Sequence, residues 1–288
     1  MGQLHYCLGI QVSQDTKKGI ITLTQSSYIV SLLSKYHMDT YQGMDTPLPI
    51  TLKHTTPGHN PASSIFPYTN VLGSIRYLVS CTRPDICFST NLLSRFLQNP
   101  AEIHTQYLKR LLRYLRHTMN IGLSYHRQAN PLALIGYSDA DWGGDPATLQ
   151  STSGYLFLLA GAAISWQSKK QNKVTLSSTE AEYISMTLAM KEGIWLQSLL
   201  AETEIFAPKS IFLYCDNMSA ITLAQNLKHS EKTKHIAMKL QFIRELVHDG
   251  TLQLEHIGTD QQWADFLTKS VHKVKHAESC KQIGLQSP

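Results

Sequence analysis

Four carboxylates stand where a strand ends or a helix begins: Asp139 in GYSDADW, Glu182 in SSTEAEY, Asp216 in YCDN and Asp265 in WADFLTK. Acids converging at one end of a sheet can hold two divalent cations, and hard Mg²⁺ prefers carboxylates, water and phosphate oxygens. Two such ions about 4 Å apart activate a water and stabilise the leaving oxygen of an in-line phosphodiester displacement. Each acid also has a plain structural alternative. Ser177-x-x-Glu180 and Thr179-x-x-Glu182 both fit a capping box. Asp216 fits the N-cap of the segment after it. Asp265 can pair with Lys269 at i,i+4, and Asp139, Asp141 and Asp145 can form turns around Gly143-Gly144. Spacing alone leaves both readings open.

Carboxylates of this kind need a sheet and helices to hold them, and behind the RQANP stretch at 127–131 the pattern supplies both. Residues 132–138 read as a strand. Residues 155–159 and 163–167 flank Ala160-Gly161 as a hairpin, with 174–176 as a continuation. A long helix is expected over 179–202, where Ile184, Leu188, Trp195 and Leu199 fall within about 60° at 100° per residue. A buried strand at 211–215, helices at 217–225 and 234–248, a strand at 252–257 and a helix at 261–269 complete a mixed sheet covered by helices. The tail beyond Val271 is polar and is expected to be loose.

The front half reads differently. Leu8, Ile10 and Val12 alternate, Lys17-Lys18-Gly19 turns, and Ile21 and Leu23 alternate again, which is a hairpin. Ser26 or Ser27 is expected to cap a helix carrying Ile29, Leu32, Leu33 and Tyr36. A proline-rich connection over 47–67 leads to helices at 68–80 and 86–97, and Pro100 opens a third. In that third helix Leu108, Leu111, Leu112 and Leu115 form an apolar stripe. Lys109, Arg110, Arg113, Arg116 and His117 cover its other side, either as a solvated face or as a sequence-independent track along phosphates.

Composition narrows the class. The chain has 288 residues, 42% apolar and 16% charged, too apolar for a disordered chain and long enough for a substantial core. The longest strongly apolar stretch, residues 155–166, is shorter than the roughly 20 residues that span a bilayer. No apolar run follows a basic start, so a secretory signal is not expected. Five scattered cysteines without a C-x-x-C spacing argue against a disulfide framework or a zinc site. An intracellular, unsecreted protein without a membrane is expected. Residues 1–130 hold 12 Lys/Arg against 5 Asp/Glu, a net +7, while residues 131–288 hold 14 against 16, a net −2. A basic front half suggests an acidic partner such as nucleic acid.

In order along the chain, YSDADW, STSGY, ISWQSKKQNKVTLSSTEAEY, YCDN, KTKHI, FIRE and QQWADFLTK resemble the ribonuclease H domain of copia-type LTR-retrotransposon Pol polyproteins. YCLGIQV, LTQSSYI, TPLP, YTNVLGSIRYLVSCTRPDI and HTQYLKRLLRYLRHT resemble the end of that family's reverse transcriptase palm and the helical connection behind it. The resemblance runs from about Gly2 to Val271. It implies an α/β fold: a ribonuclease H-like mixed five-stranded sheet, order 3-2-1-4-5, with flanking helices. Ahead of it would lie a mainly helical thumb/connection-like region with a short β-hairpin. Residues 1–130 would be the reverse transcriptase remnant, 131–271 the ribonuclease H-like domain and 272–288 the tail.

The resemblance also assigns roles. Asp139, Glu182, Asp216 and Asp265 would be both catalytic residues and metal ligands, holding two Mg²⁺ (or Mn²⁺ in their place). They would hydrolyse the RNA strand of an RNA–DNA hybrid to a 3′-hydroxyl and a 5′-phosphate. Glu182 is preferred over Glu180 because it holds the A-E-aromatic position, and Asp141 is a second-choice ligand because i and i+2 share a strand face. Lys109, Arg110, Arg113 and Arg116 would bind the hybrid. His256 is read as a strand residue in place of a loop histidine, and Lys234-His235 matches a family motif serving either packing or phosphate contact. No Asp-Asp dipeptide occurs, so the family's paired-aspartate polymerase motif is absent. Met1 is expected to start a truncated copy, a gene fragment or a separate product, and the missing palm and fingers would be partners. The rival reading is a nucleic-acid-binding remnant without catalysis. A zinc-dependent or Ser/His hydrolase finds neither ligand spacing nor nucleophile elbow.

Overall fold

The computed structural model describes residues 3–52, 66–127, 133–204, 206–226 and 237–287. Lys234, His235 and most of the RQANP and proline-rich stretches lie outside them. The chain divides into two compact units, Met1–Arg127 with Ser270–Pro288, and Gln128–Lys269. Among the described residues no helix is long and apolar enough to cross a membrane.

In the first unit, strands β1 (Tyr6–Cys7), β2 (Ile10–Asp15) and β3 (Ile20–Thr24) pair antiparallel. The Asp15 carboxylate accepts from the N–H groups of Lys17 and Lys18 and so shapes the turn between β2 and β3. Helix α1 (Ser26–Lys35) buries Ile29, Leu32 and Leu33. Neither Ser26 nor Ser27 caps it; Gln11 Oε1 on the neighbouring strand accepts the Ser27 N–H instead. Helices α2 (Tyr68–Cys81), α3 (Cys87–Ser94) and α4 (Glu102–His117) follow, and β4 (Gly122–His126) returns to pair with β3. The leucine stripe of α4 is wholly buried with Val71, Leu72 and Ile75 of α2. Each such side chain contributes about 1.5–3 kcal/mol on leaving water.

The second unit is built on β5 (Leu134–Asp141), β6 (Thr152–Leu159) and β7 (Ala162–Lys170), an antiparallel meander. Ala160 and Gly161 both adopt positive φ at its second turn, as a tight two-residue hairpin between right-twisted strands requires. Residues 174–176 do not extend the meander as a strand. Helix α5 (Ser178–Glu202) then crosses over so that β8 (Ile211–Cys215) lies parallel to β5. After α6 (Met218–Gln225) and α7 (Ala237–His248), β9 (Leu252–His256) lies parallel to β8. The sheet order β7-β6-β5-β8-β9 is the 3-2-1-4-5 order of the ribonuclease H fold.

Three further expectations are corrected. Helix α5 turns a different face to the sheet: Trp195 and Leu199 are 56% and 42% exposed, while Ala181, Met186, Ala189, Met190 and Gly193 are buried. Small residues let the helix lie close to the strands; a side chain on Gly193 would reach Phe157 at 3.0 Å. Because Ala and Gly score weakly as apolar, the stripe of larger residues mimics the core face. The segment 261–269 forms two 3₁₀ turns, Thr259–Gln261 and Asp265–Leu267, and no single helix. The tail, expected to be loose, forms helix α8 (Lys273–Gln282) and strand β10 (Leu285–Gln286). Strand β10 pairs with β4, so the first unit holds a five-stranded sheet and more than a short hairpin. His276, Ser279, Cys280, Ile283 and Leu285 are buried in that closure.

Candidate active site

Asp139 lies near the end of β5, 2% exposed, opposite Gly154 of β6. A Cβ on Gly154 would lie 2.7 Å from Thr268 Cγ2 and 2.8 Å from Leu267 Cβ. Glycine at this position is therefore what lets the 265–268 turn close over the strand. From that turn the Thr268 hydroxyl donates to Asp139 Oδ2. The Ser185 hydroxyl of α5 donates to the carbonyls of Asp139 at 2.6 Å and Gly154 at 3.1 Å. Buried Gln262 donates to the Ser138 carbonyl at 3.0 Å.

The other acids arrive from α5, β8 and the same turn. Glu182 falls on the buried face of α5, in step with Met186, Ala189 and Gly193, and accepts the Ala140 N–H. Ser177 caps α5 with Glu180 as its partner: Ser177 Oγ accepts the Glu180 N–H, and the Glu180 carboxylate accepts the Leu176 N–H. Asn217, not Asp216, caps α6 through a bond from the Ala220 N–H at 3.0 Å. Asp216 instead accepts from the Thr259 hydroxyl at 3.1 Å. Ligand atoms of Glu182, Cys215 and Asp216 all lie within 4.8 Å of one another. Asp265 pairs with Lys269 at 2.8 Å, and the same ammonium lies 3.9 Å from Asp139.

Charge couples these acids to one another. Burial pushes the Asp139 carboxyl up to about 7, with Asp265 and Asp216 adding to the rise and Lys269 opposing it. Burial raises Glu182 well above the usual carboxylate range, reinforced by Asp139 and Asp216. Asp141, on the same strand face, is raised by burial and feels Lys269 and Asp265. Two groups in the site carry no clear signal in the sequence. Cys215 Sγ lies 3.9 Å from Glu182 Oε2, its thiol pushed well up by burial and by Glu182. Lys269 is marked by spacing only as a pairing partner of Asp265. His256 is an exposed residue at the end of β9, opposite Cys215 in register.

Burial disfavours the Lys269 ammonium, but Asp139 and Asp265 outweigh it and hold its pKa above the ordinary lysine value. Its stabilising charge is therefore present throughout the neutral range. Lys269→Ala is expected to lower the melting temperature in EDTA near neutral pH, because Asp139 and Asp265 lose their counter-charge. Millimolar Mg²⁺ should then raise the melting temperature of the variant more than that of wild type. An equal Mg²⁺ shift in both proteins would count against a shared cation position.

The basic face of α4 has an internal use. Arg116 donates to the carbonyls of Asp39 and Tyr41, Arg113 to that of Gln42 at 2.6 Å, and Arg110 to Thr46 Oγ1 at 2.8 Å. The Lys109 ammonium sits 5.1 Å from the centre of the Phe66 ring. These guanidinium groups hold the 39–46 loop against the helix. Replacing Arg110, Arg113 and Arg116 together by Ala is expected to destabilise the protein by roughly 1 kcal/mol for each charged hydrogen bond removed. The salt dependence of nucleic-acid affinity should stay nearly unchanged. A flattened salt slope at unaltered stability would restore the phosphate-track reading.

The second unit is thus an α/β domain of the ribonuclease H type with an acidic centre at the ends of β5 and β8. No protein-family model matches the chain. It is 39% identical over 294 residues to the retrovirus-related Pol polyprotein from transposon TNT 1-94 of Nicotiana tabacum, covering 100% of this chain and 22% of that one. It is 40% identical over 283 residues to the corresponding Pol polyprotein from transposon RE1 of Arabidopsis thaliana, covering 98% and 19%. The chain therefore spans about a fifth of the length of these curated relatives. Among solved structures, the foamy viral protease–reverse transcriptase matches with a TM-score of 0.50 and 13% identity, over 89% of this chain and 38% of that one. The chain belongs to the retrovirus-related Pol polyproteins of transposons, the copia-type family its motifs resemble.

Proposed function

We propose that the second unit is a metal-dependent nuclease that hydrolyses the RNA strand of RNA–DNA hybrids. The observation that carries this reading is the gathering of Asp139, Glu182, Asp216 and Asp265 at one end of a ribonuclease H sheet, with the Asp139 and Glu182 carboxyls raised by burial and by neighbouring acids. Buried like charges of this kind are costly unless cations join them, and an all-carboxylate set matches the oxygen preference of Mg²⁺ or Mn²⁺. Glu182 and Asp216 would hold one ion with Asp139, and Asp139 with Asp265 the other. When bound, such a pair of ions activates water and stabilises the leaving oxygen.

The chain's own residues do the positioning. Thr268 and Ser185 fix the Asp139 side chain and backbone, so this carboxylate is oriented before any substrate arrives. Thr259 orients Asp216. Lys269 balances the charge of Asp139 and Asp265. Membership of the Pol family supports a hybrid as the substrate. With no Asp-Asp dipeptide in the 288 residues, the reading assigns them no polymerase centre. The test is to incubate the purified chain with a hybrid labelled in its RNA strand. RNA should be cut with Mg²⁺, leaving 3′-hydroxyl and 5′-phosphate ends, and stay whole in EDTA. Hybrid bound but uncut at every Mg²⁺ or Mn²⁺ concentration would support the inactive remnant.

A further inference from the structure

The second unit carries a groove of about 370 Å³ lined by Lys169, Lys170, Lys173, Lys191 and Lys239 and, among the described residues, by no carboxylate. Lys169 and Lys170 end β7, Lys173 follows in the connection to α5, Lys191 lies on α5 and Lys239 on α7. Lys170 is neutralised by Asp145. The other four make no ion pair with a described residue. Four like charges around one concavity repel one another, and the repulsion is relieved by a polyanion laid along them. This concentration is invisible in the residue count, where residues 131–288 carry a net −2.

A second observation points to a ligand. Gln171, 6% exposed, also lines the groove. Its amide nitrogen donates to Ser153 Oγ at 2.9 Å and the Ala181 carbonyl at 3.0 Å, which fixes the amide's orientation. Its Oε1 is buried without a hydrogen-bond partner among the described residues. An orphaned acceptor costs about 1–3 kcal/mol unless a donor reaches it, and a sugar hydroxyl or base amino group is such a donor. Gln171 also ties groove to acids: Ala181 precedes Glu182 on α5, and Ser153 pairs with Ala140, the residue after Asp139. The floor includes Ile184 and Leu188, apolar surface suited to the faces of sugars or bases.

We propose that this groove binds a phosphodiester strand of nucleic acid beside the acidic centre, through Lys169, Lys173, Lys191 and Lys239. The assignment of nucleic acid over an acidic polypeptide rests on the nuclease reading of the same unit; the groove's anion binding does not. The experiment uses the full chain in EDTA, with fluorescence anisotropy of a short labelled single-stranded RNA at salt between about 50 and 200 mM. The double variants Lys169→Glu/Lys173→Glu and Lys191→Glu/Lys239→Glu should each weaken binding about tenfold or more. Each should also lower the salt slope by about 0.7 for every phosphate no longer neutralised. The matching Lys→Gln pairs serve if a charge reversal disturbs the circular dichroism spectrum. Unchanged affinity and slope in both pairs would overturn the proposal. So would polyglutamate competing as well as RNA of equal charge, which would assign the groove to acidic polypeptides. Because no Mg²⁺ is present, a failure of hybrid cleavage leaves this measurement standing.

Discussion

Asp139→Asn is expected to abolish hybrid cleavage while making the metal-free protein more stable. The substitution keeps the shape of the side chain and an acceptor for the Thr268 hydroxyl, but removes a charge that would anchor both cations. Losing one preorganised electrostatic interaction with a transition state costs on the order of 10²–10³ in rate, and a shared ligand should exceed that. The stability gain follows from the raised pKa. A carboxyl at about 7 in the folded protein, against 3.8 unfolded, binds its proton more tightly when folded. Wild-type stability in EDTA should thus fall as pH rises from about 4 to about 7 and then level off.

Burial sets most of that rise, Asp265 and Asp216 add to it, and Lys269 and the Thr268 hydroxyl act against it. Asparagine removes the penalty. The variant should match wild type near pH 4 and exceed it by a few kcal/mol near pH 8, since one pKa unit is about 1.36 kcal/mol. Thermal unfolding in EDTA at the two pH values checks this. Millimolar Mg²⁺ should narrow the gap by stabilising wild type alone. A variant less stable than wild type at pH 8 would mean that Asp139 is a structural charge.

The second large effect lies in the first unit. Arg83 and Asp85 form a bidentate pair at 2.7–2.9 Å with side chains 1% and 0% exposed. Arg83 also donates to the Thr118 carbonyl and hydroxyl, and the Tyr114 hydroxyl donates to Asp85 at 2.6 Å. Burial alone would raise the Asp85 carboxyl, but Arg83 and Tyr114 outweigh it and hold it below the usual range. His276 of α8 closes the cluster, hydrogen-bonded to the Asp85 backbone and edge-on to the Tyr114 ring.

Asp85→Ala leaves a guanidinium buried with no counter-charge, a loss of about 3–5 kcal/mol. That is a large part of the roughly 5–15 kcal/mol typical of a domain. The urea midpoint of the transition involving the first unit should fall by more than about 1 M, given slopes of about 1–3 kcal/mol/M. Replacing both partners, Arg83→Met with Asp85→Leu, should recover much of the loss, because an apolar pair leaves no stranded charge. A double variant as unstable as Asp85→Ala would mean that the wider network, and not charge balance, sets the stability.

Much of this molecule is legible from residues in order. The elements of the second unit emerge from local alternation and helical spacing, because a strand's or helix's apolar period is written in adjacent residues. The four acids stand out by their places at element ends, and the Pol motifs rank them. Spacing leaves open which acids merely cap a helix. That depends on single hydrogen bonds: Glu180, not Glu182, partners Ser177 in capping α5, and Asn217, not Asp216, caps α6.

Only the tertiary structure decides the rest, wherever the determining contact joins residues far apart in the chain. Which face of α5 meets the sheet depends on how closely Gly193 and its alanines can approach Phe157 and its neighbours. Gly154 shows no chemistry by itself, yet it admits the turn that brings Asp265, Thr268 and Lys269 to Asp139. The arginines of α4, which look like a phosphate track when counted along a helix, hold a loop some 70 residues earlier. The polar tail is ordered because Leu285 meets β4 and His276 meets Tyr114 beside the Arg83–Asp85 pair. Charge obeys the same rule: a sum over residues is fixed by sequence, but its field depends on which side chains the fold gathers together.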